Sequence, residues 1–244
     1  MSYQQTIFVN DEYYHLYNRS VGSINLFAST RSINRILDLV DYYRFPQEIR
    51  YSKFIQLPIQ QRENYLQRII KTQQPIVELY TFSFNIDHYH LLLKQLREGG
   101  IKQFISNVQN GFAKYFNIRK NRHGSVFQNP FKGVRIETEE QFKHVSRYIH
   151  LQPVTSYLIE FEKLSEFEAN SFVYYANKNI LPRRLFKSDN EKSFFINTKL
   201  LINMFGIADR YNSFVANQVD YQRTLDSIKR LLPPELRRIR RVSS

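Results

Sequence analysis

The chain has 244 residues, enough for one sizeable domain with an appendage, and 42% apolar residues with 15% aromatic supply a packed core. A surplus of 35 Lys and Arg over 22 acidic residues leaves a net charge of +13, which points to a polyanionic partner, foremost nucleic acid. The absence of cysteine excludes disulfides and thiolate metal ligands, and no apolar window reaches the length of a membrane span. The opening MSYQQTIFVNDEYYHLYNRS has no basic stretch followed by an apolar one, so the expectation is a soluble, cytoplasmic protein.

In chain order, YYHLYNRS (Tyr13–Ser20) is rich in β-formers and predicts a first strand. RSINRILDLVDYY follows, with Ile33, Ile36, Leu37 and Val40 at helical spacing, and predicts a first helix. A loop with Pro46 and Pro58 leads to a second helical piece over Gln61–Ile70. Ile76–Phe84 and His88–Leu96 read as two strands of a hairpin joined by NID. The stretch GGIKQFISNVQNGFAKYFNIRKNRHG sets Ile101, Phe104, Ile105, Val108, Phe112 and Phe116 on one face and ends at Gly124, which is the pattern of an amphipathic helix. After the turn SVFQNPF comes a short β-run, Lys132–Glu137. Then TEEQFKHVSRYIHLQP opens in the style of a capping box, carries Tyr148 and stops near Pro153.

This order predicts an α+β fold over residues 1–157: a ferredoxin-like split βαβ antiparallel sheet with helices on one face. Residues 158–244 read as a helical accessory segment, in which NTKLLINMFG, ADRYNSFVANQ and DYQRTLDSIKRLL each carry apolar residues at three- and four-residue intervals. It ends in a basic tail with Arg237, Arg238, Arg240 and Arg241, readable as a phosphate-binding arm or as an end without function.

Two short stretches bear chemistry. Strand side chains alternate faces, so His88 and His90 share one face while Tyr89 takes the other. On a helix Tyr148 and Gln152, four apart, also share a face, so a phenol and an amide oxygen can aim at one spot. Histidine-x-histidine taken alone is weak evidence for a metal and reads first as a pair of satisfied half-buried residues. Taken together, the two stretches resemble the single-tyrosine branch of the HUH endonucleases: a histidine-hydrophobic-histidine run opening a leucine-rich strand, then YIHLQPV (Tyr148–Val154). More narrowly, the chain resembles the transposases related to insertion sequences and the REP-associated tyrosine transposases. YYHLYNRSV is similar to that family's first-strand Y-H-x-x-N-R-G-x, and GSVFQNPFKGVRIE to its segment before the tyrosine helix, so the likeness runs over roughly residues 13 to 157. Ser20 stands where the family has Gly, Gln152 where relatives often have Asn, and Tyr89 fills the hydrophobic slot between the histidines.

The resemblance implies that His88 and His90 bind a divalent metal, Mg²⁺ or Mn²⁺, that Gln152 is the third ligand, and that Tyr148 is the nucleophile. Those residue types suit the task. A phosphodiester is anionic and needs polarising before a weak nucleophile attacks, and tyrosine attack conserves the bond in a phosphotyrosine link. Imidazoles suit transition ions, which leans the choice toward Mn²⁺. Pro153 disfavours helical geometry at Gln152, leaving His150 as a rival third ligand although it should lie on another helix face. Of the other histidines only His144, four before Tyr148, is a candidate for a supporting role. Arg19, Lys132, Arg135 and Arg147 belong to stretches expected to border the histidine face and to grip DNA phosphates. The resulting expectation is a transposase that nicks and rejoins single-stranded or hairpin DNA through a 5′-phosphotyrosine intermediate. The alternatives are a domesticated hairpin-binding protein that cleaves nothing and a metal hydrolase in which water attacks. Monomer and homodimer stay open.

Overall fold

The computed structural model of the protein describes residues 6–176, 185 and 195–219. Strands β1 (Tyr13–Arg19), β2 (Val77–Phe84), β3 (His88–Gln95) and β4 (Lys132–Ile136) form one antiparallel sheet of order β2-β3-β1-β4. Between β1 and β2 run α1 (Thr30–Tyr43), α2 (Tyr51–Phe54) and α3 (Ile59–Thr72), and between β3 and β4 runs α4 (Gly100–Lys120). The chain continues into α5 (Glu139–Thr155), α6 (Val173–Ala176), α7 (Lys199–Phe205) and α8 (Ala208–Ala216). This is the α+β, split βαβ arrangement the element order predicts, with β1 and β3 central. The helix expected over DYQRTLDSIKRLL and the basic tail lie outside the described residues.

Alternation along the strands divides the sheet into two unlike faces. Tyr89, Leu91 and Leu93 of β3 and Tyr14 and Leu16 of β1 point to the side that α4 covers with α1 outside it. There the Gln109 amide donates to the Tyr89 hydroxyl at 2.8 Å, and Phe112 packs on Phe27 and Phe127. Helix α4 begins in tight contact with the chain before β2. A Cβ on Gly100 would come within 2.5 Å of the Ile76 carbonyl oxygen, and that oxygen already accepts from the Leu96 amide at 3.0 Å. The backbone cannot yield without breaking that hydrogen bond. Gly100→Ala is therefore expected to destabilise the fold by about 1–3 kcal/mol, measured as a lowered midpoint of denaturant unfolding.

The expectation of helices on one face holds for α1 and α4, but α5 lies on the opposite face. The reason is the aromatic content of that second face. Tyr13 and Tyr80 both rest against Phe142 of α5 with ring centroids 5.2 Å apart, and leaving such rings in water forfeits their burial. The N-terminus of α5 is capped as predicted: the Gln141 amide donates to Thr138 Oγ1 at 3.1 Å, and Gln141 Oε1 accepts from the Glu137 amide at 2.8 Å.

Helix α5 ends at Thr155, near Pro153 as expected, but it runs through the proline rather than breaking at it. Proline lacks the N–H that the Ile149 carbonyl would normally accept from. The buried Asn170 amide supplies a replacement, donating to the carbonyls of Ile149 (3.4 Å) and His150 (3.0 Å) and to Ser83 Oγ (3.1 Å). Asn170 is in place because Ala169–Ser171 runs along the outer edge of β2: the Phe84 amide donates to the Ala169 carbonyl at 2.8 Å and the Ser171 amide to the Phe82 carbonyl at 3.0 Å. The same contact blunts an otherwise open sheet edge.

His150 holds the outer side of α5. Its ring is fully buried, bonded to Ser171 Oγ (2.8 Å) and to the Tyr211 hydroxyl of α8 (2.6 Å), and packed against Phe172 and Tyr175. Burial pushes its pKa down to about 3, and that of His15 down to about 4. The unfolded chain takes up a proton at each ring near the ordinary value of about 6.5, whereas the folded chain does not. Both rings therefore favour folding at neutral pH, and this contribution is lost as pH falls from about 6.5 toward 3. Linkage limits the loss to about 1.4 kcal/mol per pH unit for each ring. Unfolding free energy measured between pH 7 and 5 is expected to fall, and to fall less steeply in His150→Asn, which removes one titrating group.

Candidate active site

On the face beneath α5, neighbouring strands bring four side chains into a row at one level of the sheet. Ser83 pairs with His90, His90 with Tyr17, and Tyr17 with Lys132. One level along, Arg19 pairs with His88, and one level back His15 lies diagonal to His90. The imidazoles of His88 and His90 are perpendicular with centroids 5.4 Å apart. Tyr148 comes down from α5 and sets its ring edge-on to His90 (5.5 Å) and His15 (5.9 Å). His88 and His90, and Tyr148 more than fifty residues later in sequence, thus occupy one patch between sheet and helix.

The imidazoles are held by further polar groups. His90 Nδ1 lies 2.9 Å from His15 Nε2, and the two rings stack at 5.1 Å. His88 Nδ1 donates to Asp87 Oδ1 at 2.6 Å, and the Asn85 amide nitrogen approaches His88 Nε2 at 3.1 Å. The hydrogen bond from His88 holds the Asp87 carboxyl below the usual range, with Arg19 adding to the effect from 3.6 Å. Burial drives His90 well below its ordinary value, with repulsion from His15, His88 and Arg19 adding to it. A neutral imidazole is the form that ligates a metal.

Gln152 lies one turn beyond Tyr148 on α5, in helical geometry despite Pro153, and is 7% exposed. Its amide nitrogen donates to the Tyr148 carbonyl at 3.4 Å, and among the described residues no side-chain hydrogen bond joins it to His88, His90 or Asn85. The rival His150 is on the far side of the helix, committed to Ser171 and Tyr211. Among the described residues no three His, Asp or Glu side chains converge as a metal-binding group. A cation would therefore need amide oxygens and solvent alongside the two imidazoles. One such oxygen is conspicuous: Asn85 Oδ1 is buried and has no hydrogen-bond partner among the described residues. Two nitrogens with amide oxygens form a donor set that fits Mn²⁺ and, less well, Mg²⁺.

The cationic residues divide. Arg19 and Lys132 border the histidine face, with the Lys132 ammonium 5.9 Å from the Tyr17 ring centroid and 57% of the Arg19 side chain exposed. Arg135 does not. It projects from the other face, where it is ion-paired with Glu12 at 2.6 Å, because on β4 it is in register with Tyr14 rather than with His15 or Tyr17. Arg147 does not either. One residue before Tyr148, it is turned about 100° around the helix. It lies buried under α8 with its guanidinium 4.1 Å from the Phe214 ring centroid and bonded to His144 Nδ1 at 2.8 Å. That pairing also removes His144 from the site.

Three residues escape the sequence reading: His15, Asn85 and Asp87. The latter two flank the first histidine in NIDHYH and were visible as neighbours. His15 stands in the YYHLYNRSV stretch, but its place beside His90 follows only from the register of β1 against β3, which no local pattern encodes. Asn18 of the same motif is structural, its amide donating to the Gln128 carbonyl at 2.8 Å and its oxygen accepting from the Arg19 amide.

Neither any protein-family profile nor any curated protein matches the sequence. Among solved structures the fold is similar to that of a REP-associated tyrosine transposase bound to a REP hairpin. That match has a TM-score of 0.51 and 10% sequence identity, covering 78% of this chain and 93% of that one. A protein described provisionally as a transposase, from Deinococcus radiodurans R1, matches with a TM-score of 0.33 and 14% identity over 61% of this chain and 96% of its own. At 10% identity the first likeness is one of fold. Among the described residues no helix is long and apolar enough to cross a membrane.

Proposed function

We propose that the protein is a DNA transposase that cleaves and rejoins single-stranded, hairpin-bearing DNA by attack of Tyr148 on a phosphodiester. The observation that carries this reading is the placement of Tyr148 edge-on to His90, beside His88, in a face rimmed by Arg19 and Lys132. The fold shared with a tyrosine transposase bound to a DNA hairpin supports it, as does the net charge of +13.

In the proposed step the Tyr148 hydroxyl oxygen bonds to phosphorus and loses its proton. The bond from phosphorus to the 3′ oxygen breaks, and that oxygen leaves as a 3′ hydroxyl after taking up a proton. The 5′-phosphate stays on the tyrosine, and the reverse step on another 3′ hydroxyl rejoins strands. A divalent cation held by His88, His90 and the Gln152 oxygen would polarise the phosphate and offset charge in the transition state. Arg19 and Lys132 would hold the flanking phosphates.

The test is to incubate the full chain with labelled single-stranded oligonucleotides carrying a hairpin, with Mn²⁺ or Mg²⁺, and to resolve products under denaturing conditions. Label that migrates with protein supports the reading. Binding without cleavage under both metals would leave a hairpin-binding protein, and free 5′-phosphate ends would mean that water attacks. Arg19→Ala and Lys132→Ala are each expected to weaken binding across all sequences. Each should lower the dependence of log affinity on log salt by about 0.7, measured by fluorescence anisotropy titrations at several salt concentrations.

A further inference from the structure

Metal-ligating histidines need one ring nitrogen bare, and a hydrogen bond at the other nitrogen decides which one that is. At His88 the structure answers this from both sides. Asp87 Oδ1, 2.6 Å from Nδ1, is a carboxylate oxygen and can only accept, so the proton is on Nδ1. On the other side the Asn85 amide nitrogen, 3.1 Å from Nε2, can only donate, and it meets a lone pair. At His90 the Nδ1 atom is engaged with His15 Nε2 at 2.9 Å. A nitrogen occupied in this way is not available to a cation, so only Nε2 can serve, and that requires the His90 proton on Nδ1 with His15 accepting it. His15 is itself held in place, stacked on His90 at 5.1 Å and packed against the rings of Tyr17 (5.2 Å) and Tyr148 (5.9 Å).

We infer that Asp87 and His15 are positioning residues that fix His88 and His90 in the Nδ1–H form, so that both imidazoles present their Nε2 lone pairs to one divalent cation. This inference rests on the metal-assisted reading proposed above. It adds a division of labour within the face: β1 supplies the acceptor for one imidazole, and the β2–β3 turn supplies acceptor and donor for the other. Asn85 has a place in it as well. A cation arriving at His88 Nε2 displaces the Asn85 N–H, and reversal of that amide would bring its unpartnered oxygen to the same cation.

Two measurements on the full chain test it. Long-range proton–nitrogen correlation spectra of the metal-free, ¹⁵N-labelled protein, assigned with His88→Gln and His90→Gln, should show Nε2 as the unprotonated nitrogen of both rings. The affinity for Mn²⁺, read from the resonance of the free ion, should fall about 10- to 100-fold in His15→Phe and Asp87→Ala. It should fall less in Asp87→Asn, which keeps an acceptor oxygen beside Nδ1. Asp87 is partly exposed and outside the core, so its variants report even where His15→Phe fails to fold. Mn²⁺ binding with Nδ1 unprotonated in either ring, or an Asp87→Ala protein with wild-type affinity, would overturn the inference and leave the metal-assisted reading standing. The expected tautomers with no Mn²⁺ binding would instead overturn the metal-assisted reading, and with it the role assigned to the two positioning residues.

Discussion

Tyr148→Phe is expected to abolish the covalent protein–DNA adduct while leaving the fold and DNA binding intact. The substitution removes one oxygen and keeps the ring, so the edge-on contacts of this α5 side chain with His90 and His15 persist. What is lost is the nucleophile, and loss of an essential nucleophile lowers turnover by at least about 10³-fold. The prediction is demanding because Tyr148 is not the only tyrosine on this face: the Tyr17 ring is 5.8 Å from His90. The two sit differently. Tyr17 lies nearly parallel to the His90 ring, at 21°, with the Lys132 ammonium over its face, an arrangement suited to stacking. Tyr148 meets His90 at 90° and arrives from the helix opposite the sheet. Tyr17→Phe is accordingly expected to retain the adduct on denaturing gels. A Tyr17→Phe protein without adduct beside a Tyr148→Phe protein with it would reverse the assignment.

The parts of the structure that were legible in the sequence are those written in local periodicity. Alternation placed His88 and His90 on one face, a four-residue interval placed Tyr148 and Gln152 on one side of a helix, and Thr138 with Gln141 marked where that helix begins. What was not legible depends on how elements meet. Pro153 looked like the end of α5 because a proline leaves a carbonyl without its donor. The replacement donor, Asn170, is twenty-one residues away from Ile149, in the part of the chain read as a helical accessory segment, where no local pattern ties it to α5. Arg135 and Arg147 looked like phosphate contacts because they flank the motifs, yet one is in register with the wrong residue of β1 and the other is rotated toward α8. His15 shows the same limit from the other side. A histidine in a strand is ambiguous until the partner strand and its register are fixed, and here one diagonal step in the β1–β3 pairing turns it into a neighbour of both His90 and Tyr148.

Removing the cation is expected to silence the chemistry without loosening the fold. The histidine face is held by its own bonds, His15 to His90 and Asp87 to His88 to Asn85, and beneath them by the apolar residues of β3, so no part of it needs an ion to stay in place. A chelator should therefore abolish adduct formation, added Mn²⁺ should restore it, and the thermal midpoint of the DNA-free protein in chelator should stay within about 2 °C of that of the untreated protein. His90→Gln tests the same point from the protein side. The fold places two imidazoles here, and His90→Gln would leave one of them with neutral amide oxygens to hold the ion. Loss of one imidazole is expected to lower metal-dependent adduct formation by about 10³-fold or more, as for other essential members of an active site. Gln152→Ala should cost less, because a solvent oxygen can take the place of an amide oxygen at a hard cation. Adduct yields measured against Mn²⁺ concentration separate the two: a curve displaced to higher Mn²⁺ but reaching the same plateau marks a lost ligand, and a plateau that no concentration restores marks a lost reacting group. An adduct that forms at full yield in chelator would remove the cation from the mechanism and leave His88 and His90 as structural residues of the sheet.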